Sequence, residues 1–359
     1  WYVKFFHSNK MKNYNNIFGK IISPENLFSA WDCFKSNKRK KADVQRFEWE
    51  LERNIFQLHR ELRRGAYKHG AYSSFYIQDP KQRHIHKADV RDRVLHHAVF
   101  SVLDPIFEET FISNSYSCRI GKGTHKGVSA LEKFIRQISQ NYSKPCFILK
   151  CDIKQFFGSV DHAILKNILK KRIKDENARW LLEQIIDSFS SRQSDIFYVR
   201  GLPIGNLTSQ LFANVYLNEL DQFIKHKLKI KNYARYTDDF VIVGNTKKEL
   251  ENILPKINSF LKNTLSLELH PKKIVIRKQS QGIDFLGYVI LPHYRLLRTK
   301  TKKRIFKKLK MRIAQYKTGK IDNKSLNQSL QSYLGVLSHA DTHKLKEKLL
   351  NQFWFWLNE

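Results

Sequence analysis

The hydrophobic positions of this chain change period several times, and each change marks an element. From Ser23 onward, Leu27, Ala30, Trp31 and Phe34 recur at three and four residues, a helical spacing that Ser23 or Glu25 begins. The basic loop Lys38-Arg39-Lys40-Lys41 follows. Val44, Phe47, Leu51, Ile55, Leu58 and Leu62 then form one stripe, which predicts a single amphipathic helix ended by Gly65. Phe75 to His86 alternates and predicts two strands around a turn, after which Arg91 to Val99 starts a helix toward Leu103 and Phe107. Phe147 to Ile153 reads as a short strand. Helices are predicted over about 161–174, capped by Ser159 or Asp161, and through Trp180, Leu182 and Ile185. A loop with Gly201, Pro203 and Gly205 opens a long apolar helix. Tyr233 to Gly244 reads as a hairpin, 250–265 as an amphipathic helix, and 283–290 as a second strand pair. From Thr299 three helices follow, with stripes Ile305-Leu309-Ile313, then Leu326-Leu330-Tyr333-Leu334-Leu337, then Leu345-Leu349-Phe353-Trp354-Leu357. The class is α+β.

Two of these elements carry carboxylates where chemistry can use them. The turn of the hairpin holds Asp238 and Asp239 side by side. Like charges so placed raise each other's pKa, and a divalent cation relieves them. Asp is also ordinary in a solvated turn, so the pair alone does not decide. The strand ending on Asp152 supplies a third carboxylate. Three such groups brought together would form a two-metal site for in-line nucleotidyl transfer.

Composition narrows the partners. Lys plus Arg number 65 against 33 Asp plus Glu, a formal net charge of +32. That excess favours a polyanion, most simply nucleic acid, although a ribosome-associated or anionic-membrane protein shares it. The charge is spread along the chain, which suits a long binding channel better than a basic tail. Cys33, Cys118, Cys146 and Cys151 show no C-x-x-C spacing, so a reduced, cytoplasmic setting is expected rather than a disulfide framework. No apolar run has transmembrane length and no signal peptide is seen, so no membrane partner is expected. The Gly121-Lys122-Gly123 loop lacks Walker spacing. The chain begins at Trp1, which places its start outside this sequence or at Met11 and makes residues 1–10 an extension.

The segments around Asp152 and Tyr236-Thr237-Asp238-Asp239 resemble the first and third palm motifs of reverse transcriptases. Further motifs follow in family order. Lys81-Gln82-Arg83-His84-Ile85 precedes Arg91-Asp92-Arg93-Val94, as in the fingers, and Gly121-Lys122-Gly123-Thr124-His125 has its counterpart there too. Leu267 to Ile276 resembles the fourth palm motif, and Ile283 to Ile290 the primer-grip strands. Within the family the chain looks most like the reverse transcriptases of diversity-generating retroelements. Where the common pattern has Pro-Gln-Gly and then Ser-Pro, this chain has Ile204 in place of Gln and Gln210 in place of Pro.

The resemblance implies a right-hand polymerase with an antiparallel palm sheet and a C-terminal helical thumb, making DNA on an RNA template from dNTPs. It implies segments 1–22 as an N-terminal extension, 23–145 as N-terminal helices and fingers, 146–290 as palm with finger-side helices at about 161–199, and 291–359 as thumb. Asp152, Asp238 and Asp239, with Ile153 beside them, would hold two Mg²⁺, with Mn²⁺ as a substitute, and Lys273 would be a general acid on the leaving pyrophosphate. Lys81 and Arg83 are implied at the triphosphate, Phe157 at the sugar 2′ position, and Ile204 and Gly205 at the incoming nucleotide. Ile204 and Gln210 would govern fidelity, with errors concentrated opposite template adenine. Phe285, Leu286, Gly287 and Tyr288 would grip the primer. Arg119, Lys122, Lys302, Lys303, Lys307 and Lys308 would hold nucleic acid. Implied partners are a template-repeat RNA, a DNA or RNA primer, and a small basic helical accessory protein. Two related readings compete: a phage-defence reverse transcriptase, and a group II intron reverse transcriptase, which is expected to continue into DNA-binding and nuclease segments. A third is a non-catalytic RNA-binding scaffold, against which the three intact carboxylates argue.

Overall fold

The computed structural model describes residues 12–78, 82–191, 194 and 199–359. In chain order the elements begin with helices α1 (Phe18–Ile22), α2 (Pro24–Lys35), α3 (Ala42–Trp49) and α4 (Leu51–Arg63), then strands β1 (Ser73–Ile77) and β2 (Arg83–Lys87). α5 (Val90–Glu108), α6 (Thr124–Ile138), β3 (Phe147–Asp152), α7 (Phe156–Ser159), α8 (His162–Arg172), α9 (Glu176–Asp187) and α10 (Leu207–Gln222) come next. The second half holds β4 (Tyr233–Tyr236), β5 (Asp239–Gly244), α11 (Lys247–Leu265), β6 (Val275–Lys278), β7 (Ile283–Phe285), β8 (Tyr288–Ile290), β9 (Arg295–Leu297), α12 (Thr299–Lys317), α13 (Asn323–Leu337) and α14 (His343–Asn358). Mixed helix and antiparallel sheet is the expected class.

These elements form two compact units. The first takes the chain up to Ser113, Ile153–Lys227 and Ile257–Leu269; the second takes Asn114–Asp152, Leu228–Lys256 and His270–Glu359.

In the first unit α5 lies against α2 and α10, and the core holds Trp31, Phe34, Leu58, Leu95, Phe212 and Tyr216. Ser23 caps α2 by accepting from the Asn26 N–H, and Asp161 caps α8 by accepting from Ile164. Asp175 caps α9 through Ala178 and also accepts from the Phe18 N–H at 2.8 Å. Residues 14–22, read from the sequence as part of an extension, are therefore tied in. Tyr14 N–H reaches the Arg172 carbonyl, and Ile21 is fully buried.

The single stripe from Val44 to Leu62 is two helices rather than one. The chain turns at Glu50 (φ −116°, ψ 41°), and the Asn54 amide caps the freed Phe47 carbonyl at 3.0 Å. Periodicity could not show this, because the break preserves the stripe. β1 and β2 form the expected antiparallel pair, although all five residues of β1 are exposed and neither of its faces is core.

The second unit is built on an antiparallel sheet of order β4-β5-β3-β6. β4 and β5 are joined by a two-residue turn, Thr237-Asp238, with Tyr236 opposite Asp239 and Thr237 at φ 52°. α6 backs this hairpin, with Val128, Leu131 and Ile135 against Ala234, Val241 and Val243. The same core continues through the β7-β8-β9 sheet into α12, α13 and α14, where Ile305, Leu309, Ile313, Leu326, Leu330, Leu349 and Phe353 are buried. Trp354, read as part of the last stripe, is 57% exposed. All four cysteines are free, and among the described residues no helix is long and apolar enough to cross a membrane.

Candidate active site

The second unit brings the three sequence-predicted carboxylates to one place. β3 pairs with β5 in a register that sets Asp152 directly opposite Asp239. Asp238 occupies the turn beside them. The Asp239 carboxyl hydrogen-bonds that of Asp152, and its pKa is pushed up to about 6. Burial is the main cause, and the charges of Asp152 and Asp238 add to it, while Lys150 opposes. Lys273 Nζ lies 2.6 Å from Asp152 Oδ1, the counter-charge of the group.

The turn is held by residues that pattern reading passed over. Arg235 is fully buried inside β4; its guanidinium donates to the Thr237 carbonyl at 3.1 Å and to Ser115 Oγ at 3.1 Å. Thr237 Oγ1 donates to Ser117 Oγ at 2.6 Å. A buried charge persists only when it is hydrogen-bonded, so Arg235 fixes the backbone that carries Asp238. Its signal was visible: an Arg between apolar strand positions. Lys150, on the Asp152 strand, donates to the Asp284 carbonyl at 2.8 Å and so ties β3 to β7.

That tie leads to the expected primer-grip residues. Phe285 and Tyr288 are buried, and Leu286 and Gly287 form the two-residue turn between β7 and β8, with φ of 50° and 92°. Leu286 packs over Gly127, where a Cβ would meet it at 3.1 Å. Arg119 donates to the Ser115 carbonyl, and Lys122 sits over the Tyr116 ring. Of the four α12 lysines, Lys303 and Lys307 are exposed, while Lys302 and Lys308 are half-buried.

The nucleotide-binding expectations fall in the first unit. β2 is strapped to the 204–206 loop: His86 N–H donates to the Ile204 carbonyl at 3.0 Å, and the Asn206 amide to the His86 carbonyl at 3.3 Å. Gly205 (φ +121°) lies under this strap, where a Cβ would meet Ile85 at 3.0 Å. The Ile204 side chain is half-buried and Gln210 is exposed. Phe156 is core, whereas Phe157 is only half-buried and meets its neighbour edge-on at 5.4 Å. The Phe157 carbonyl accepts from Leu202 N–H at 2.6 Å, which binds the segment to the Gly201-Leu202 loop. Arg83 is exposed at the start of β2, opposite Ile77. Lys81 lies outside the described residues. Ile153, buried, bridges Leu269.

A family model described as "Reverse transcriptase (RNA-dependent DNA polymerase)" matches residues 77–290, a span that contains all of these motifs. The chain belongs to the reverse transcriptase family. Among its relatives are protein YkfC of Escherichia coli, 25% identical over 56% of this chain and 61% of that protein, and the group II intron-encoded protein LtrA of Lactococcus lactis. LtrA is 24% identical over 90% of this chain and 62% of its own length. The chain thus spans a little over 60% of each of these relatives. Among solved structures, telomerase from Candida tropicalis in complex with a fragment of telomeric RNA aligns with a TM-score of 0.50 at 13% identity, covering 75% of this chain and 53% of that one. The fold is that of the right-hand polymerases.

Among the described residues no set of three or more His, Cys, Asp or Glu side chains is already gathered in metal-holding geometry. The donor chemistry nevertheless fits a hard divalent ion. The charges of Asp152 and Asp238 raise the Asp239 pKa, and a cation bound to the oxygens of these carboxylates would relieve that repulsion.

Proposed function

We propose that this chain is an RNA-directed DNA polymerase of the group II intron-like kind, with Asp152, Asp238 and Asp239 as its catalytic carboxylates. The observation that carries the reading is the register that sets Asp152 against Asp239, one residue from Asp238. Two Mg²⁺ ions held there by the three carboxylates and the Ile153 carbonyl would supply Lewis-acid activation of a primer 3′-hydroxyl and of a triphosphate. The rest of the chemistry belongs to side chains. Lys273 Nζ lies beside Asp152, placed to act as a general acid on a leaving pyrophosphate. Arg235 and Ser117 hold Thr237, and with it the backbone of the turn that carries Asp238. Exposed Arg83, with Lys81, supplies positive charge for a triphosphate, and Phe157 stands at the sugar. The turn at Leu286-Gly287 grips the primer in a palm of 146–290, and exposed Lys303 and Lys307 of α12 hold the duplex backbone in a thumb of 291–359.

Asp238→Ala and Asp152→Ala should each abolish dNTP incorporation in a primer-extension assay with Mg²⁺ while leaving RNA binding largely intact. Near-normal extension by either variant would remove the assignment. The non-catalytic scaffold predicts no extension by the wild type.

A finer reading rests on Ile204 and Gln210. Their substitution for Gln and Pro supports a diversity-generating enzyme that copies a template-repeat RNA with an accessory protein, and it predicts errors at template adenine. Paired template and variable repeats in the neighbouring DNA would support it, and their absence would favour the intron-like or defence role.

A further inference from the structure

The two sheets of the second unit, β4-β5-β3-β6 and β7-β8-β9, pair as separate ladders. One carries Asp152 and Asp239, and the other carries the turn at Leu286-Gly287. Apolar packing through Ile148, Val241, Ile283 and Phe285 brings them into one core. Such packing is non-directional, so hydrogen bonds are what set one sheet in register with the other. Just before β3, Gln279 Oε1 accepts from the Cys146 N–H at 2.7 Å, and the Gln279 N–H donates to the Cys146 carbonyl at 3.0 Å. That clasp lies about 20 Å of extended chain from Asp152.

Lys150 supplies a tie at the carboxylate end. It stands two residues before Asp152 on the same face of β3, about 7 Å along the strand, and its charge reaches Asp239. β7 is an edge strand of its sheet, and an antiparallel strand turns every second carbonyl away from its partner. The Asp284 carbonyl is turned outward in this way and accepts from Lys150 Nζ at 2.8 Å. Its carboxylate takes a second partner, the Arg298 guanidinium. Arg298 is the N-cap residue of α12, and its backbone N–H donates to the Gly287 carbonyl at 3.0 Å. Asp284 is thus a hub where β3, the Leu286-Gly287 turn and α12 meet. Both side chains of the Asp284–Arg298 pair are 37% exposed, so the pair adds little stability. What it adds is geometry.

We propose that Lys150, Asp284 and Arg298 are positioning residues, which hold the Leu286-Gly287 turn in register with Asp152 and Asp239 so that a primer 3′ end carried by the turn arrives aligned for attack. This rests on the polymerase reading above, and none of the three residues need touch substrate. A misplacement of about 1 Å at the reacting atoms can cost about a hundredfold in rate. Binding of a primer–template along its whole length scarcely registers so small a shift.

Single-turnover addition of one dNTP to a DNA primer on an RNA template, with the full chain and Mg²⁺, tests it. The Kd of the same primer–template is measured beside it by fluorescence anisotropy. Lys150→Met, which removes the donor from a long side chain, should slow addition at least about tenfold, with Kd and the urea midpoint little changed. Arg298→Gln, at a more exposed position, should share the loss. The double variant should be no slower than the slower single one, since both ties act through one turn. Lys150→Arg, which keeps a donor, should recover most of the rate. The Mg²⁺ concentration for half-maximal rate should stay the same throughout. Unchanged rates in Lys150→Met and Arg298→Gln overturn the proposal. So does a rate loss that Kd or the urea midpoint follows in step, which would make the ties merely structural. A loss confined to Lys150→Met with a raised Mg²⁺ requirement also overturns it, because Lys150 would then act on the metal site. Absence of addition by the wild type removes the polymerase reading and this inference with it; addition by the wild type with indifferent variants removes this inference alone.

Discussion

Ile204 shows how much one side chain can be asked to do. Its backbone is fixed by the His86 N–H, so the strap to β2 survives any side chain at this position. What the residue changes is chemistry. Ile has neither donor nor acceptor and a stiff branched stem, where the common family pattern has an amide. A lost hydrogen bond is worth about 0.5–1.5 kcal/mol, which relaxes discrimination severalfold to about tenfold. Ile204→Gln should accordingly lower the error rate on one RNA template, most of all opposite adenine. Sequenced cDNA with identical error spectra from both proteins would acquit Ile204. Phe156 and Phe157 make a related point. Adjacent identical residues look alike in a sequence, yet one is core and the other half-buried, because a single helical step moves a side chain from the interior to a surface.

Among the elements, α12 is where pattern and structure agree most closely and still differ in detail. Ile305, Leu309 and Ile313 are buried at every fourth residue, as their spacing predicts. The four lysines expected to hold nucleic acid do not act as one face. Lys303 and Lys307 stand exposed, while Lys302 and Lys308 are partly covered, and Lys308 lines a groove with Arg312, Ser325 and Ser329. Counterion release should then come mainly from the exposed pair. Lys303→Ala with Lys307→Ala should reduce the slope of log K against log salt for RNA binding by about 0.7–0.9 for each phosphate no longer neutralised, and Lys302→Ala should change it less. A slope that ignores the exposed pair would make α12 a protein-docking helix. The break between α3 and α4 is the opposite case. Asn54 and Glu50 produce it locally, but nothing in the apolar stripe announces it.

The molecule as a whole carries two imidazoles, buried His96 and half-buried His97, that cost it acid stability. Burial, with the charges of His69, His97 and Arg93, pushes His96 down to about 3, and burial with Lys38 and Arg93 pushes His97 down to about 4. An unfolded histidine titrates near 6.5. Below that pH the unfolded chain binds protons that the folded chain refuses, so the stability is fully present above about 6.5 and is lost as pH falls toward 4 and then 3. Asp239 works in the opposite sense between about 4 and 6, because its folded pKa is raised, and offsets part of the loss. Urea midpoints measured from pH 8 to pH 5 should fall. A flat profile would mean that His96 and His97 open to water in the folded state.

Much of this was legible in the residues. The hairpin, the Asp152 strand, the loop before α10 and the three C-terminal helices follow from alternation, from helical period and from the few residues that suit a turn, all of them local properties of the chain. Family membership followed from motif order for the same reason, since each motif is a short stretch with its chemistry attached. Asp152 was legible as the third carboxylate, but only the tertiary structure decided the register of β3 on β5 that sets it directly opposite Asp239. It also decided that Arg235 is the anchor of the turn, that Lys150 joins β3 to β7, and that the rings of His69 and His96, 27 residues apart, meet at 3.2 Å. Those relations are between residues distant in the chain. No spacing encodes them, because strand register and side-chain burial are set by the packing of whole elements against one another.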